Sequence, residues 1–153
     1  MSTQWLTATE LRSWQNFITT VHDLMSALEA ALTPHGLTMG DYEVLVYLSA
    51  ADKNRMRMRD LANVLQLSPS GLTRRLDGMV KSGWVQRAGC EDDKRVMWAH
   101  LTASGMEKMT ACAPDHVDSV RHHVIEPLGP EGVDQLGNVF GLIREHLNRL
   151  RSV

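Results

Sequence analysis

Residues 60–101 read DLANVLQLSPSGLTRRLDGMVKSGWVQRAGCEDDKRVMWAHL, and this run decides the fold. Asp60 to Gln66 carries Leu61, Ala62 and Leu65 on one helical face, with small Ala62 where a second helix must cross closely. Ser68 is a natural N-cap and Pro69 suits a first helical position, so a second helix begins there. Leu72, Leu76, Met79 and Val80 recur at helical spacing and are expected to point inward, leaving Ser70, Thr73, Arg74, Asp77 and Lys81 outside. Gly83 stops that helix. Val85 to Cys90 and Val96 to Leu101 then read as strands flanking the charged loop Glu91–Arg95. Helix, turn, polar-faced helix and basic-tipped hairpin describe a winged helix-turn-helix, mainly α with a small β-wing, a shape suited to the DNA major groove.

Charge supports this reading once its distribution is considered. The chain of 153 residues has a net charge of −2, which by itself argues against a nucleic-acid partner. Residues 53–97, however, hold ten Lys and Arg against five Asp and Glu, a net +5, which leaves −7 for the flanks. A basic module on an acidic support is the asymmetry expected of a DNA reader.

The flanks read as long helices. Thr7-Ala8-Thr9-Glu10 is a capping-box signature, followed by Leu11, Trp14, Ile18, Val21, Met25, Leu28 and Leu32 until Pro34 and Gly36. Val133, Leu136, Phe140, Ile143, Leu147 and Leu150 repeat the same three-four alternation, entered through Gly129-Pro130-Glu131. A period near 3.5 marks helices that lie along other helices. Thr102 caps a further helix running to Val124, with Pro114 expected to kink or restart it, and Thr38 to Ala51 forms a short helix behind the motif. The expected organisation is a helical dimerisation region from residues 1–36 and 103–153, and a winged DNA-binding domain from 37–102. Two-fold symmetry would match two half-sites one helical turn apart.

The order of elements and the words DYEVLVYLS, LANVLQLSPSGLTRRLDGMVKSGWVQR, DDKR and LTASG resemble the MarR family of bacterial winged-helix regulators. The resemblance runs from about Trp14 to Leu150. It implies a homodimer joined through both termini, a recognition helix in the major groove, a wing in the minor groove, and often a small-molecule pocket between the domains.

The residue chemistry assigns roles within that frame. Arg74 lies in the first turns of the second helix and suits bidentate bonding to guanine. Ser70 and Thr73 are short donors for bases or phosphates, and Ser68 with the helix N-terminus offers amide protons to a phosphate. Arg75 and Lys81 are expected at the DNA backbone, and Arg87 and Lys94 are counted among the DNA-binding residues. Arg95 suits a narrow minor groove, with Asp93 two residues earlier holding its guanidinium. Asp77 is expected to pair within the chain, with Arg74 or Lys81. Trp14, His22, Tyr42 and Trp98, with Trp5, are expected to border a cleft for a small aromatic or phenolic effector, set against their being core or interface residues.

Other chemistry finds little support. The seven histidines have no accompanying ligand spacing, so neither metal nor cofactor is expected, although His100 occupies a strand position usually aliphatic in the family. Cys90 and Cys112 suggest neither a disulfide framework nor a zinc cluster. No Gly-rich phosphate loop, nucleophile elbow or paired-carboxylate cleft points to an enzyme. No apolar run long enough for a membrane span and no signal peptide are present, which places the chain in the cytoplasm by expectation. The competing reading is a winged-helix protein-interaction module that does not touch DNA, and it would require an apolar exposed face on the second helix. The expected function is a sequence-specific transcriptional regulator, a repressor binding double-stranded DNA as a homodimer.

Overall fold

A computed structural model describes residues 3–89 and 96–151. Cys90, the loop Glu91–Arg95 and with it the wing-tip residues Asp93, Lys94 and Arg95 lie outside the described residues. Among those described, helix α1 spans Ala8–Leu32, α2 Met39–Ala50, strand β1 Arg55–Arg57, α3 Met58–Val64, α4 Pro69–Lys81, β2 Val85–Gly89, β3 Met97–Leu101, α5 Ala103–Val120 and α6 Glu126–Arg151. The chain divides into two compact units after His116.

Local chemistry sets the helix ends of the first unit. Thr7 Oγ1 accepts from Glu10 N at 3.3 Å while the Glu10 carboxylate accepts from Thr7 N at 2.7 Å, the reciprocal cap anticipated for α1. Thr38 and Asp41 repeat the device on α2. The turn between α3 and α4 closes as Leu67 N donates to Ala62 O at 2.9 Å and Gln66 N to Asn63 O at 3.1 Å. That geometry places Gln66 at φ 54°, where glycine is the usual residue, at a cost of about 1 kcal/mol or more. The same pair of bonds ends α4 at Gly83, with φ 77° and the residue type the conformation favours.

The sheet has three strands in the order β1-β3-β2, all antiparallel. The sequence reading found the hairpin but not β1, whose three residues pair only with β3. Arg55 sits opposite His100 and Arg57 opposite Trp98. The core lies where α2, α3, α4 and the sheet converge. Leu45, Leu48, Leu61, Leu72, Leu76, Met79, Val85 and Ala99 are buried there, joined by Leu28, Leu32 and Cys112. Each fully buried Leu or Met stabilises the fold by roughly 1.5–3 kcal/mol relative to an exposed one. Val80 departs from the inward set: it is 38% exposed, because its neighbour Met79 takes the core position.

Pro114 does not break its helix. α5 runs through it because the chain is anchored on both sides, by buried Cys112 before it and by His35–Asp115 (2.6 Å) and Tyr42–His116 (4.5 Å between ring centroids) after it. The irregularity comes later, as a wide turn over Arg121–Ile125 and a non-helical Gly129 at φ 64°. Within the second unit no described residue is buried, and α6 presents Leu136, Val139, Phe140, Leu142, Ile143, Leu147 and Leu150. α1 likewise exposes Leu11, Trp14, Ile18, Val21 and Met25, with only Leu28 and Leu32 buried.

Candidate nucleic-acid interface

α4 sorts its residues as its period demands. Leu72, Leu76 and Met79 are buried, while Ser70, Thr73, Arg74, Asp77 and Lys81 are exposed. Ser68 Oγ accepts from Gly71 N at 3.1 Å and lies 3.2 Å from Ser70 Oγ, so the first turn opens with paired hydroxyls and an unneutralised helix dipole. No acidic residue stands in that turn. Among the described residues neither Arg74 nor Lys81 has an ion pair, so both cations face solvent with their donors unspent.

Three expectations need correction. Thr73 is not positioned as a donor: its hydroxyl donates to Pro69 O at 2.9 Å, leaving oxygen lone pairs and a methyl group to present. Arg75, expected at the DNA backbone, is half-buried beside the core rather than exposed with Arg74. Its guanidinium lies against α2, where a side chain on Gly40 would meet Arg75 Nη1 at 1.3 Å. Gly40 is therefore the residue that lets Arg75 lie across the helix. Asp77 pairs with neither Arg74 nor Lys81, the helical neighbours, but with Arg87 of β2 at 2.9 Å.

Arg87 is the link between reader and wing. Its Nη2 donates to Thr73 O at 2.7 Å and pairs with Asp77, and its side chain is only 25% exposed. A charge-assisted bond in that setting fixes the rotation of α4 against β2. Arg87 holds the reading helix in place from the core side of the sheet. At the other end of the hairpin Thr102 Oγ1 donates to Gly83 O at 2.6 Å and accepts from Gly105 N at 3.0 Å, tying α5 to the same turn.

The four residues expected to border one effector cleft have separate surroundings. Trp14 packs beside Phe17 on α1, at 5.8 Å between ring centroids. His22 lines an open groove of about 620 Å³ on α1 with Val21, Met25, Ser26, Glu29, Ala30 and Thr33. Tyr42 is buried against His116, and Trp98 lies on the sheet beneath Arg55 and Arg57. Trp14 and His22 stand on α1, Tyr42 on α2 and Trp98 on β3, and among the described residues the groove at His22 is lined by none of the other three. Trp5 is exposed at the start of the chain.

Burial shifts three groups in the core of the first unit. It pushes the Tyr42 phenol and the Cys112 thiol up and the His116 imidazole down. Cys112 is thus held as a thiol, donating to Met109 O at 3.3 Å, the opposite of what a reactive thiolate needs. No group of three or more His, Cys, Asp or Glu side chains that could hold a metal occurs among the described residues. No described helix is long and apolar enough to cross a membrane.

A sequence model described as MarR family matches residues 35–96. The fold is similar to that of AbsC, a MarR family transcriptional regulator from Streptomyces coelicolor, with a TM-score of 0.91 and 43% identity over 95% of this chain and 99% of that one. A second MarR family transcriptional regulator of that organism, solved in complex with DNA, is 35% identical, with a TM-score of 0.91 over 95% and 92% of the two chains. The transcriptional repressor YetL of Bacillus subtilis (strain 168) is 26% identical over 79% of this chain and 72% of its own length.

Proposed function

The chain belongs to the MarR family of transcriptional regulators, and from that premise we propose that it is a sequence-specific DNA-binding repressor acting as a homodimer on a pseudo-palindromic operator. The observation that carries this reading is the exposed face of α4. Ser70, Thr73 and Arg74 stand there close to a capped, positively polarised N-terminus and Lys81 in the last turn, with Arg87 fixing the helix to the wing. A protein-docking helix would expose an apolar stripe instead, and among the described residues of α4 Val80 is the one exposed large apolar side chain.

In this reading Arg74 reads a base edge, Ser68, Ser70 and Lys81 meet phosphates, and Thr73 accepts from an exocyclic amine or touches a thymine methyl. Arg75 and Arg87 act from behind, as residues that pack and aim α4. Lys94 and Arg95, with Asp93, are assigned to the wing on the family resemblance. Residues 37–102 form the DNA-binding domain, and residues 1–36 and 103–153 the dimerisation region. The exposed stripes of α1 and α6 supply its apolar surface, since runs of exposed large apolar side chains along a helix mark a protein interface. Release by a small aromatic or phenolic ligand belongs to the same proposal. Its site is the α1 groove at His22, which combines apolar walls with Ser26 and Glu29 and which a second copy would close.

The test compares Arg74→Ala with Lys81→Ala on a panel of operator variants. Arg74→Ala should cost about 1–3 kcal/mol and relax preference at one base position per half-site. Lys81→Ala should weaken specific and non-specific binding alike and reduce the salt slope by roughly one. Equal behaviour of the two variants across the panel would overturn the assignment.

A further inference from the structure

The sheet carries a second cationic surface, on the face opposite α4. Strand pairing puts Arg55, His100 and Gln86 in one cross-strand row and Arg57, Trp98 and Ala88 in the next. Side chains alternate along a strand, so these residues share one face while Met56, Ala99 and Arg87 take the other. Arg87 reaches α4 from that other face, which turns the Arg55–Trp98 face away from the reading helix.

The Arg55 guanidinium carbon lies 4.6 Å from the centroid of the Trp98 ring, and that of Arg57 lies 5.5 Å from it. Stacking uses the flat side of a guanidinium and leaves its edge N–H donors directed outward. Among the described residues no carboxylate pairs with either arginine, whereas Arg59, Arg87 and Arg149 have Asp60, Asp77 and Glu145. Two cations held on one indole, unneutralised and with Lys53 and Arg59 flanking them in sequence, repel each other unless an anion meets them. The two guanidinium groups gathered on one indole present a pair of cations to a polyanion.

We propose that this outer sheet face binds the phosphate backbone of duplex DNA flanking the operator, lengthening the contact beyond the bases read by α4. The inference rests on the DNA-binding reading above. It takes α4 as lying in the major groove, with the sheet face turned away from α4 directed along the duplex past the half-site. Trp98 serves as the platform that holds both guanidinium groups at the surface, and this assigns it a nucleic-acid role in place of an effector cleft.

The test uses full-length protein and two duplexes. One carries only the operator enriched in selection, and the other adds about one helical turn of unrelated sequence at each end. Wild type should bind the longer duplex more tightly. Each engaged sheet face should steepen its salt slope by about 1.8, so the advantage shrinks roughly tenfold per face between 50 and 200 mM salt. The Arg55→Gln/Arg57→Gln variant should lose this advantage and bind the short duplex as wild type does. Arg55→Lys/Arg57→Lys, which keeps the charge, should retain most of the salt slope, and thermal unfolding of each variant confirms that it is folded. Equal binding of both duplexes by wild type would overturn the inference, as would a Gln variant weakened equally on both. Failure of wild type to bind either duplex above unrelated DNA would instead defeat the DNA-binding reading itself.

Discussion

Arg87→Ala should cost about 2 kcal/mol of folding stability, and this cost should be present without any DNA. Arg87 Nη2 is 2.7 Å from Thr73 O and 2.9 Å from Asp77 Oδ1. A hydrogen bond involving a charged group contributes about 1.5–3 kcal/mol. The guanidinium is partly covered and the Thr73 carbonyl already lies in the helix ladder, so the lower part of that range applies. The ion pair adds about 0–1 kcal/mol, because Asp77 is 61% exposed and resolvates easily. In a chain of this length 2 kcal/mol corresponds to a fall in Tm of about 4–8 °C. Asp77→Ala removes the weaker contact alone and should lower Tm by about 1–3 °C. The double variant should be little worse than Arg87→Ala, because the two residues share one interaction. Circular dichroism melts of the four proteins, paired with operator titrations, provide the assay. Arg87→Ala should lose both stability and specific affinity, whereas Arg74→Ala should lose affinity with Tm unchanged within about 1 °C. A wild-type Tm with weakened DNA binding in Arg87→Ala would refute the reasoning and put that guanidinium on a phosphate.

Other expectations follow from single features. Gly105→Ala places a Cβ 2.1 Å from the backbone oxygen of Trp84, which cannot yield, so it should destabilise by about 1–3 kcal/mol or more. Gly78→Ala meets nothing within 4 Å and should stabilise α4 by about 0.5–1 kcal/mol, and melts in the opposite order would contradict both. Because burial holds His116 below the usual imidazole range, the unfolded chain takes up that proton first as pH falls. Stability should therefore decline below about pH 6.5, and His116→Phe should flatten that part of the curve in denaturant titrations; an unchanged slope would count against it. Trp14→Glu on α1 and Leu142→Glu on α6, at positions 54% and 69% exposed, should each shift the protein toward monomer in sedimentation. A stable dimer in both variants would remove the stripes from the interface.

What was legible in the sequence was what local chemistry determines. Thr7 with Glu10, Ser68 with Pro69, and Gly83 announce helix ends through bonds closed within a few residues, and all three stand where expected. Leu72, Leu76 and Met79 declare the inner face of α4 by period alone. What escaped depends on partners distant in sequence. Arg55-Met56-Arg57 becomes a strand only because β3 pairs with it. Asp77 has helical neighbours of the right charge yet bonds across to β2, where Arg87 is less exposed and more fixed. Arg75 looks like one more surface cation until Gly40 opens a place for it on α2. The alternation of Lys53, Arg55, Arg57 and Arg59 was a readable signal of strand and of a cationic face, but only the register of β3 puts Trp98 beneath it. The aromatic residues grouped by type as a ligand cleft fall on three elements, Trp14 and His22 on α1, Tyr42 on α2 and Trp98 on β3, and no local spacing links them.

The central claim is that α4 reads DNA sequence through Arg74, and selection from a random duplex pool with purified protein tests it most directly. Sequencing of the retained DNA should yield a pseudo-palindrome with half-sites about 10–10.5 base pairs apart, centre to centre. The same selection with Arg74→Ala should return that motif with one position per half-site no longer specified. Retention of DNA without any enriched motif, or an identical motif from the variant, would contradict the account.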